Sequence, residues 1–173
     1  MGTREQVLIT GEQIDTRADE LANWINKEYK GKNVLLVPIF LGAIPTVAKL
    51  MERITLPDME LDGIRVKSRK GEVSEDLVLI WDLATDIENR HVLLVDDISD
   101  SRKTISYVKD KLLKRKPASL KILTFLDKPT RQEFDVDVDQ IGFEIEDVWV
   151  EHFGLDTDGR NRNGRDITYR ISS

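Results

Sequence analysis

The sequence predicts an α/β fold with a central, mainly parallel sheet flanked by helices. Stretches with helical spacing of apolar residues alternate along the chain with short apolar runs of strand length. This alternation is typical of strand–helix–strand units, whose strands pair in parallel. The chain has 173 residues, and we expect one domain, because that length supports a hydrophobic core of its own.

The first half of the chain contains two predicted helices and two predicted strands. Apolar residues at helical spacing predict an amphipathic helix over residues 12–29. The apolar run 34–37 predicts a buried strand, and residues 40–45 are expected to form a tight turn after it. Helical spacing returns over residues 44–54, and a further strand is expected near residues 64–67.

The remaining elements continue this alternation after one polar interruption. We expect a mobile loop over residues 68–76, strands over 77–81, 92–98 and 120–126, a helix that begins after Thr104, and short β segments from residue 135 onward. The loop is expected because those residues are mostly polar. The helix after Thr104 is predicted by three apolar residues at helical spacing, Ile105, Val108 and Leu112.

The composition excludes several kinds of active site. The chain has no Cys and only two His, so disulfides, zinc–thiolate sites and thiol catalysis are excluded and a His-rich metal site is not expected. The net charge of −6 argues against non-specific binding to nucleic acid. No apolar run reaches the length of a membrane span, and the first residues do not resemble a signal peptide. We therefore expect a cytoplasmic protein that binds neither nucleic acid nor membrane.

The segment over residues 92–104 carries the strongest chemical signal. An apolar run ends at Asp96 and Asp97, a third carboxylate follows at Asp100, and a polar loop over residues 101–104 precedes the predicted helix. Ligands of parallel sheets bind beyond the carboxyl ends of the strands. Carboxylates there can hold ribose hydroxyls or a metal ion, and loop N–H groups with a helix N-terminus can hold phosphate. The segment predicts a sugar-phosphate site without the Walker A pattern of P-loop proteins.

This segment resembles the phosphoribosyl-pyrophosphate signature of the type I phosphoribosyltransferase family. Three further stretches are similar to the 6-oxopurine branch, the hypoxanthine-guanine phosphoribosyltransferases: Leu-Asp-Lys-Pro at 126–129, Ile-Gly-Phe-Glu-Ile-Glu-Asp-Val-Trp-Val at 141–150 and Phe-Gly-Leu-Asp at 153–156. The resemblance covers nearly the whole chain. It implies the type I phosphoribosyltransferase fold, with a core over about residues 30–126. A small hood, made by the N-terminal residues and residues 127–173, is expected to cover the base.

The resemblance also implies an activity, a cofactor and an assembly. The activity is transfer of 5-phosphoribosyl from phosphoribosyl pyrophosphate to a 6-oxopurine, with pyrophosphate as the leaving group. The transition state is oxocarbenium-like, so the protein must hold both reactants in line and stabilise the leaving charge. Whether hypoxanthine, guanine or xanthine is preferred stays open, because it depends on backbone contacts near purine C2. Mg²⁺ is the implied cofactor, and a homodimer or homotetramer is the implied assembly.

The family signature implies a role for each polar residue at the end of the central strand. Asp100 matches the candidate base at purine N7. Asp96 and Asp97 match the acidic pair that holds the ribose hydroxyls, directly or through Mg²⁺, where the family often has Glu-Asp. The loop that follows matches the site of the 5′-phosphate, and its residues are Ser101, Arg102, Lys103 and Thr104.

Residues of the second half match the purine and pyrophosphate sites. Lys128 matches the lysine that reads the 6-oxo group, because an ammonium can donate to an oxo group but cannot pair with an amine. Trp149 matches the aromatic residue that stacks on the purine, where Phe or Tyr is common, and Val150 is expected to present backbone groups to the base. Asp156 matches a magnesium ligand, since Mg²⁺ combines few carboxylates with phosphate oxygens. Arg162 matches an arginine that faces pyrophosphate.

Three departures from the family pattern concern the phosphate and pyrophosphate sites. Arg102 replaces the glycine of the usual Thr-Gly-Lys-Thr loop, and it can either add a phosphate contact or impose a different loop shape. Leu41 replaces the lysine of the Leu-Lys-Gly turn, so pyrophosphate binding there rests on the backbone of Leu41 and Gly42. Ser68-Arg69 replaces the Ser-Tyr that opens the mobile loop, and we hypothesise that Arg69 supplies the missing positive charge when the loop closes.

Two other functions fit parts of the pattern. The changes at positions 41 and 102 are compatible with a phosphoribosyltransferase-like regulator that binds nucleotide without catalysis. Four retained site residues argue against such a degenerate site, namely Asp100, Lys128, Trp149 and Asp156. A type I transferase for another base, such as a pyrimidine, is the second alternative, which Lys128 disfavours. Turnover, as opposed to binding alone, would separate catalysis from regulation.

Overall fold

The computed structural model describes residues 3–70 and 75–172 and contains three α-helices, one short 3₁₀ helix (Pro129–Arg131) and ten strands over those residues. The helices are α1 (Gly11–Glu28), α2 (Ile44–Met51) and α3 (Lys103–Leu113). The strands are β1 (Thr3–Ile9), β2 (Val34–Phe40), β3 (Glu60–Leu61), β4 (Ile64–Lys70), β5 (Glu75–Trp81), β6 (His91–Ser99), β7 (Ser119–Asp127), β8 (Gln140–Glu144), β9 (Val150–Glu151) and β10 (Ile167–Ser172). No helix in the described ranges is both long and apolar enough to cross a membrane.

Seven strands form the central sheet, in the order β5-β4-β2-β6-β7-β8, with the short β3 also paired to β2. Every pair is parallel except β4 with β5, which is antiparallel. The predicted α/β fold with a mainly parallel sheet is therefore confirmed.

The two central strands, β2 and β6, supply side chains to a hydrophobic core on each face of the sheet. Successive side chains of a strand point to opposite faces. Leu36 and Leu93 accordingly pack in the core that contains the apolar residues of α1 and α2. Leu35 and Leu94 pack in the other core, with the apolar residues of α3. The chain thus leaves the neighbouring strands β2 and β6 toward opposite faces of the sheet.

A second, antiparallel sheet joins the two ends of the chain in the order β1-β10-β9. Its strand β1 begins where Thr3 pairs with Ser172, and β10 also pairs with β9. This sheet contains residues from both parts of the chain that were predicted to form the hood, the N-terminal residues and residues 127–173. β8, which lies within residues 127–173, extends the central sheet, because it pairs in parallel with β7 and Phe143 packs edge-on against Phe125 at 5.6 Å.

The predicted loop over residues 68–76 differs most from the structure. Ser68 pairs with Leu77 and the following residues of β4 pair with the start of β5, so both sides of the segment are strand. Residues 71–74 lie outside the described residues. Strand pairing satisfies the backbone groups of these polar residues, and composition alone does not reveal such pairing. The helix predicted over residues 44–54 is also shorter than expected, since α2 ends at Met51.

Candidate active site

A cleft of about 310 Å³ opens at the carboxyl ends of β2 and β6. Because the chain leaves these two neighbouring strands toward opposite faces, a crevice remains between the two connections. Ligands of open parallel sheets bind in such crevices. The cleft is lined by residues 39–42 from the end of β2, by residues 96–98 and 100–105 from β6 to α3, and by Asp156 and Arg162.

Asp96 and Asp97 lie in this cleft near the end of β6. Asp96 is only 5% exposed and Asp97 is half-buried. Burial raises the pKa of Asp96 well above its ordinary value, and the charge of Asp97 adds to the rise. Burial also raises the pKa of Asp97, although the hydrogen bond with the Asp96 side chain, the Ile98 N–H and, to a smaller extent, the positive charge of Arg162 oppose this effect. Two neighbouring carboxylates whose surroundings disfavour their negative charge are suited to bind ligand hydroxyls or a cation.

We predict that Asp96→Asn stabilises the unliganded protein at neutral pH. Because the pKa of Asp96 is raised in the folded state, its carboxyl ionises less readily there than in the unfolded chain. The free energy of unfolding therefore falls as the pH rises above the unfolded-state pKa. The loss is absent below the unfolded pKa of about 3.9 and is complete above the folded pKa. Urea unfolding without divalent cations should give the variant a higher free energy of unfolding at neutral pH and a vanishing advantage in acid. A less stable variant at neutral pH would contradict the prediction.

The loop over residues 101–104 and the first turn of α3 form one wall of the cleft. α3 begins at Lys103, and the side chain of the preceding Arg102 makes no capping hydrogen bond. The Lys103 N–H donates to the Ser101 hydroxyl oxygen at 3.3 Å. The first N–H groups of a helix, together with its dipole, favour an anion at such an end. The structure thus places the predicted phosphate loop, Ser101 to Thr104, at a suitable anion site.

The side chain of Arg102 is bound to protein groups. Its guanidinium donates to the carbonyl oxygen of Val136 at 2.7 Å and forms an ion pair of 3.2 Å with the buried Asp127. The backbone of Arg102 has a φ of 66°, in the left-handed region that glycine adopts without strain. Arg102 therefore keeps the glycine-like loop shape and anchors it through its side chain. Because the guanidinium of Arg102 is bound to protein groups, this placement does not support a contact between its side chain and phosphate. Only the backbone of Arg102 then remains to contact phosphate.

A smaller cleft of about 150 Å³ adjoins the first and contains the residues predicted to bind the purine. Lys128, Trp149 and Val150 line this smaller cleft only. Four residues line both clefts, namely Asp97, Ile98, Asp100 and Asp156. Asp100 thus lies between the predicted base and sugar-phosphate sites, as its predicted role requires.

Two charged side chains that line the smaller cleft, Asp100 and Lys128, form a cluster of alternating charge with Arg131 and Asp147. The buried ammonium of Lys128 lies 3.6 Å from Asp100 Oδ2 and 3.5 Å from Asp147 Oδ1. The Nε of Arg131 donates to Asp100 Oδ1 at 3.0 Å, and its Nη1 lies 3.5 Å from Asp147 Oδ2. The hydrogen bond with Asp100 raises the pKa of Arg131. The sequence did not indicate Arg131 or Asp147 as site residues. Their only signal there is position, since Asp147 lies within the family-like stretch 141–150 and Arg131 lies just after the stretch 126–129.

The turn after β2 and the loop of residues 154–162 meet on the opposite side of the larger cleft. A Cβ on Gly42 would lie 1.6 Å from Asp97 Oδ2, and a Cβ on Gly154 would lie 2.1 Å from the Gly42 carbonyl oxygen. The two glycines therefore allow the three segments to approach closely. Leu41 follows a cis peptide bond, and its apolar side chain is 41% exposed and supplies no positive charge to the cleft.

Arg162 and Asp156 form an ion pair at this side of the cleft. The Nη2 of Arg162 lies 2.7 Å from Asp156 Oδ1, and its Nη1 donates to the Gly154 carbonyl. The N–H of Gly159 donates to Asp156 Oδ2 at 2.6 Å. Each carboxylate oxygen can accept two contacts, so these bonds orient Asp156 and leave it able to take a further partner.

The described structure does not bring Ser68 to either cleft. Ser68 is an exposed residue of β4 and lines neither cleft. Arg69 belongs to the same strand, but its side chain lies outside the description, as do residues 71–74. Their proposed roles at pyrophosphate therefore stay predictions.

The carboxylates of the clefts suit a divalent cation that is shared with a ligand. Over residues 3–70 and 75–172, no three His, Cys, Asp or Glu side chains come together as a metal-binding group. Mg²⁺ at Asp156, or at Asp96 and Asp97, would thus need oxygen atoms from the ligand. This fits the chemistry of the ion, because Mg²⁺ is commonly bound by one or two carboxylates together with substrate phosphates.

Comparison with known proteins gives one family over most of the chain. The family model described as phosphoribosyl transferase domain matches residues 10–158. The hypoxanthine-guanine phosphoribosyltransferase of Streptococcus thermophilus is 35% identical over 161 residues, which cover 92% of this chain and 89% of the relative.

Solved structures of the same kind share the architecture. A crystal structure of a hypoxanthine-guanine phosphoribosyltransferase from Bacillus anthracis aligns with a TM-score of 0.90 at 29% identity, covering 98% of this chain and 100% of the other. A hypoxanthine phosphoribosyltransferase from Trypanosoma cruzi, in complex with the product IMP, aligns with a TM-score of 0.87 at 31% identity and covers 94% and 92% of the two chains.

Proposed function

The chain belongs to the phosphoribosyl transferase family, and from this premise we propose that it is a purine salvage enzyme. It transfers 5-phosphoribosyl from phosphoribosyl pyrophosphate to hypoxanthine or guanine and releases pyrophosphate. The names of its relatives support this substrate class. The observation that carries the proposal for this chain is that Asp100 lines both the sugar-phosphate cleft and the base cleft.

The larger cleft is suited to phosphoribosyl pyrophosphate. The loop of residues 101–104 and the N-terminus of α3 hold the 5′-phosphate, while Asp96 and Asp97 accept hydrogen bonds from the ribose hydroxyls. Arg162 and the backbone of the turn at Leu41 and Gly42 face the pyrophosphate. Arg69 is an additional candidate for the pyrophosphate charge.

The smaller cleft is suited to a 6-oxopurine. Trp149 stacks on the ring, and the Val150 backbone meets its edge. The Lys128 ammonium donates to the 6-oxo oxygen, and its two ion pairs with Asp100 and Asp147, at 3.6 and 3.5 Å, hold the charged group at the cleft. Adenine carries an amine at that position, so two donors would face each other, and a buried donor without an acceptor is costly.

The reaction exchanges one bond at C1 of the ribose for another. The C1–O bond to pyrophosphate breaks, purine N9 forms the new bond to C1, and the proton on purine N7 passes to the Asp100 carboxylate. Arg131 donates to Asp100 Oδ1, and Asp100 Oδ2 lies 3.6 Å from the Lys128 ammonium, so the two cations orient the carboxylate at the base cleft. The two clefts hold the reactants in line, which removes most of the entropic cost of the encounter.

A divalent metal is expected to assist, as it generally does in this family. We propose Mg²⁺, held by Asp156 or by Asp96 and Asp97 together with oxygens of the substrate. When bound, it neutralises the charge that develops on pyrophosphate. Xanthine as a further substrate, assembly into a homodimer or homotetramer, and a cytoplasmic location are additional proposals that follow from the family resemblance.

The proposal is tested by turnover with a panel of bases. Phosphoribosyl pyrophosphate and Mg²⁺ are mixed with hypoxanthine, guanine, xanthine, adenine or uracil, and nucleotide formation is followed spectrophotometrically. We expect turnover with hypoxanthine or guanine and none with adenine or uracil. A purine nucleotide that binds without turnover of any base would indicate a non-catalytic regulator instead. Replacement of Mg²⁺ by Mn²⁺, or its removal with EDTA, tests the metal separately.

A further inference from the structure

The exposed ring of Trp149 is bound to the loop that follows β9. Trp149 is 60% exposed, and its indole Nε1 donates to Thr157 Oγ1 at 2.8 Å. An exposed indole N–H is readily satisfied by water, so this bond is not needed to satisfy a buried donor. Its main effect is geometric, because it restricts the rotation of a large ring that lines the base cleft.

Thr157 is itself held by both its backbone and its hydroxyl. Its N–H and C=O both bond to the backbone of Arg160, at 3.2 and 3.0 Å. The Thr157 hydroxyl accepts the hydrogen bond from the indole N–H, so its own hydrogen can be donated to another acceptor. The carboxylate of Glu151 interacts with this hydroxyl. Burial raises the pKa of Glu151, but the side chains of Thr157, Asn161 and Arg170 outweigh it and lower the pKa.

Glu151 anchors this arrangement to the hood. It is 2% exposed, and it accepts hydrogen bonds from Arg170 Nε at 2.7 Å and Nη2 at 2.9 Å. Asn161 donates to it at 3.1 Å. Arg170 lies on β10, which pairs with β9. The loop that carries Thr157 is thus bound through Asn161 to the buried Glu151, and Arg170 fixes Glu151 within the sheet.

We propose that Thr157 is a positioning residue for purine binding, because its hydroxyl fixes the plane of the Trp149 ring on which the base stacks. The inference rests on the proposed function, since it takes Trp149 as the stacking residue. Ordering a side chain when a ligand binds costs conformational entropy, and a ring that is already fixed avoids that cost. Phe or Tyr at position 149 has no indole N–H, so this device depends on the Trp of this chain.

A double-mutant cycle of Thr157→Val and Trp149→Phe tests the proposal. Val keeps the branched shape of Thr without the hydroxyl, and Phe keeps a stacking ring without the N–H. KM is measured for the preferred 6-oxopurine and for phosphoribosyl pyrophosphate separately, and Kd for IMP is measured by calorimetry without turnover. Thr157→Val should raise the purine KM and the IMP Kd roughly three- to tenfold, as expected for one hydrogen bond of ordinary net strength.

Three comparisons separate positioning from a general structural effect. Thr157→Ser should restore the wild-type purine KM, and Thr157→Val should have no further effect in the Trp149→Phe background. The KM for phosphoribosyl pyrophosphate should stay near that of wild type. Thr16→Val is the matched control, because Thr16 is an exposed residue of α1 whose hydroxyl donates to a helix carbonyl.

The outcomes that overturn the inference differ from those that overturn the proposed function. The role of Thr157 would be overturned if Thr157→Val left the purine KM and the IMP Kd unchanged. It would also be overturned if Thr157→Val had equal effects in the wild-type and Trp149→Phe backgrounds. A Trp149→Ala variant with unchanged purine KM and IMP Kd would overturn the stacking role itself. If Trp149→Ala weakens binding and Thr157→Val does not, the proposed site stands and only the positioning role fails.

Discussion

Replacing Asp100 with Asn is expected to lower kcat for phosphoribosyl transfer by roughly 10²–10⁴-fold, which is the usual contribution of a positioned general base. Asn keeps the size of Asp and one acceptor oxygen, but its amide cannot take the proton that leaves the purine. Asp100 lines both clefts and has one oxygen bound by Arg131. Steady-state kinetics with the preferred 6-oxopurine measures the effect, and both KM values should change much less than kcat.

The control for this prediction is Asp110→Asn. Asp110 is an exposed residue of α3, so the substitution makes the same change in charge away from both clefts. It should leave kcat close to that of wild type. If Asp100→Asn kept a wild-type kcat while both variants were folded, Asp100 would not be the base, and the proton would have to leave by another route.

Gly42→Ala is expected to lower kcat/KM for phosphoribosyl pyrophosphate by about 10²-fold, the loss that a misplacement of about 1 Å can cause. The new Cβ would lie 1.6 Å from Asp97 Oδ2, so the two groups cannot keep their positions. The carboxylate is the end of a side chain and can rotate away at modest cost in stability. The displaced Asp97 would then no longer meet the ribose hydroxyls, while the KM for the purine should change less.

Gly31→Ala is a suitable control, because it separates activity from stability. Gly31 has a φ of 73°, and a Cβ there would meet no atom within 4 Å. The left-handed conformation costs roughly 1–2 kcal/mol for a residue with a Cβ, so urea unfolding should show a loss of stability with normal kinetics. A Gly42→Ala enzyme with wild-type kcat/KM for phosphoribosyl pyrophosphate would show that the turn moves instead of Asp97, or that Asp97 does not bind the ribose.

The position of the site could be predicted from the sequence because it follows from local patterns. An apolar run that ends in Asp96 and Asp97 marks the carboxyl end of a buried strand, and parallel sheets gather those ends at one edge. Asp100 and the loop at residues 101–104 follow within a few residues, so they reach the same edge whatever the distant parts of the chain do. The structure places all of them in the larger cleft.

The partners of individual side chains could not be predicted in the same way. The sequence left two possibilities for Arg102, and the choice depends on Asp127 and Val136, which belong to later segments of the chain. Arg131 and Asp147 look like ordinary surface charges until β7 and the segment before β9 come together around Lys128. Composition cannot reveal such contacts, because each member of the cluster is polar and unremarkable alone.

The sequence by itself determined the mainly parallel α/β fold, the order of most elements and the edge of the sheet where ligands bind. Periodicity and residue type suffice for these properties, because they depend on neighbours along the chain. Only the tertiary structure decided that β1 pairs with β10, that Gly42 makes room for Asp97, and that Thr157 holds Trp149. These contacts join segments that folding alone brings together, and their geometry depends on the packing of the whole molecule.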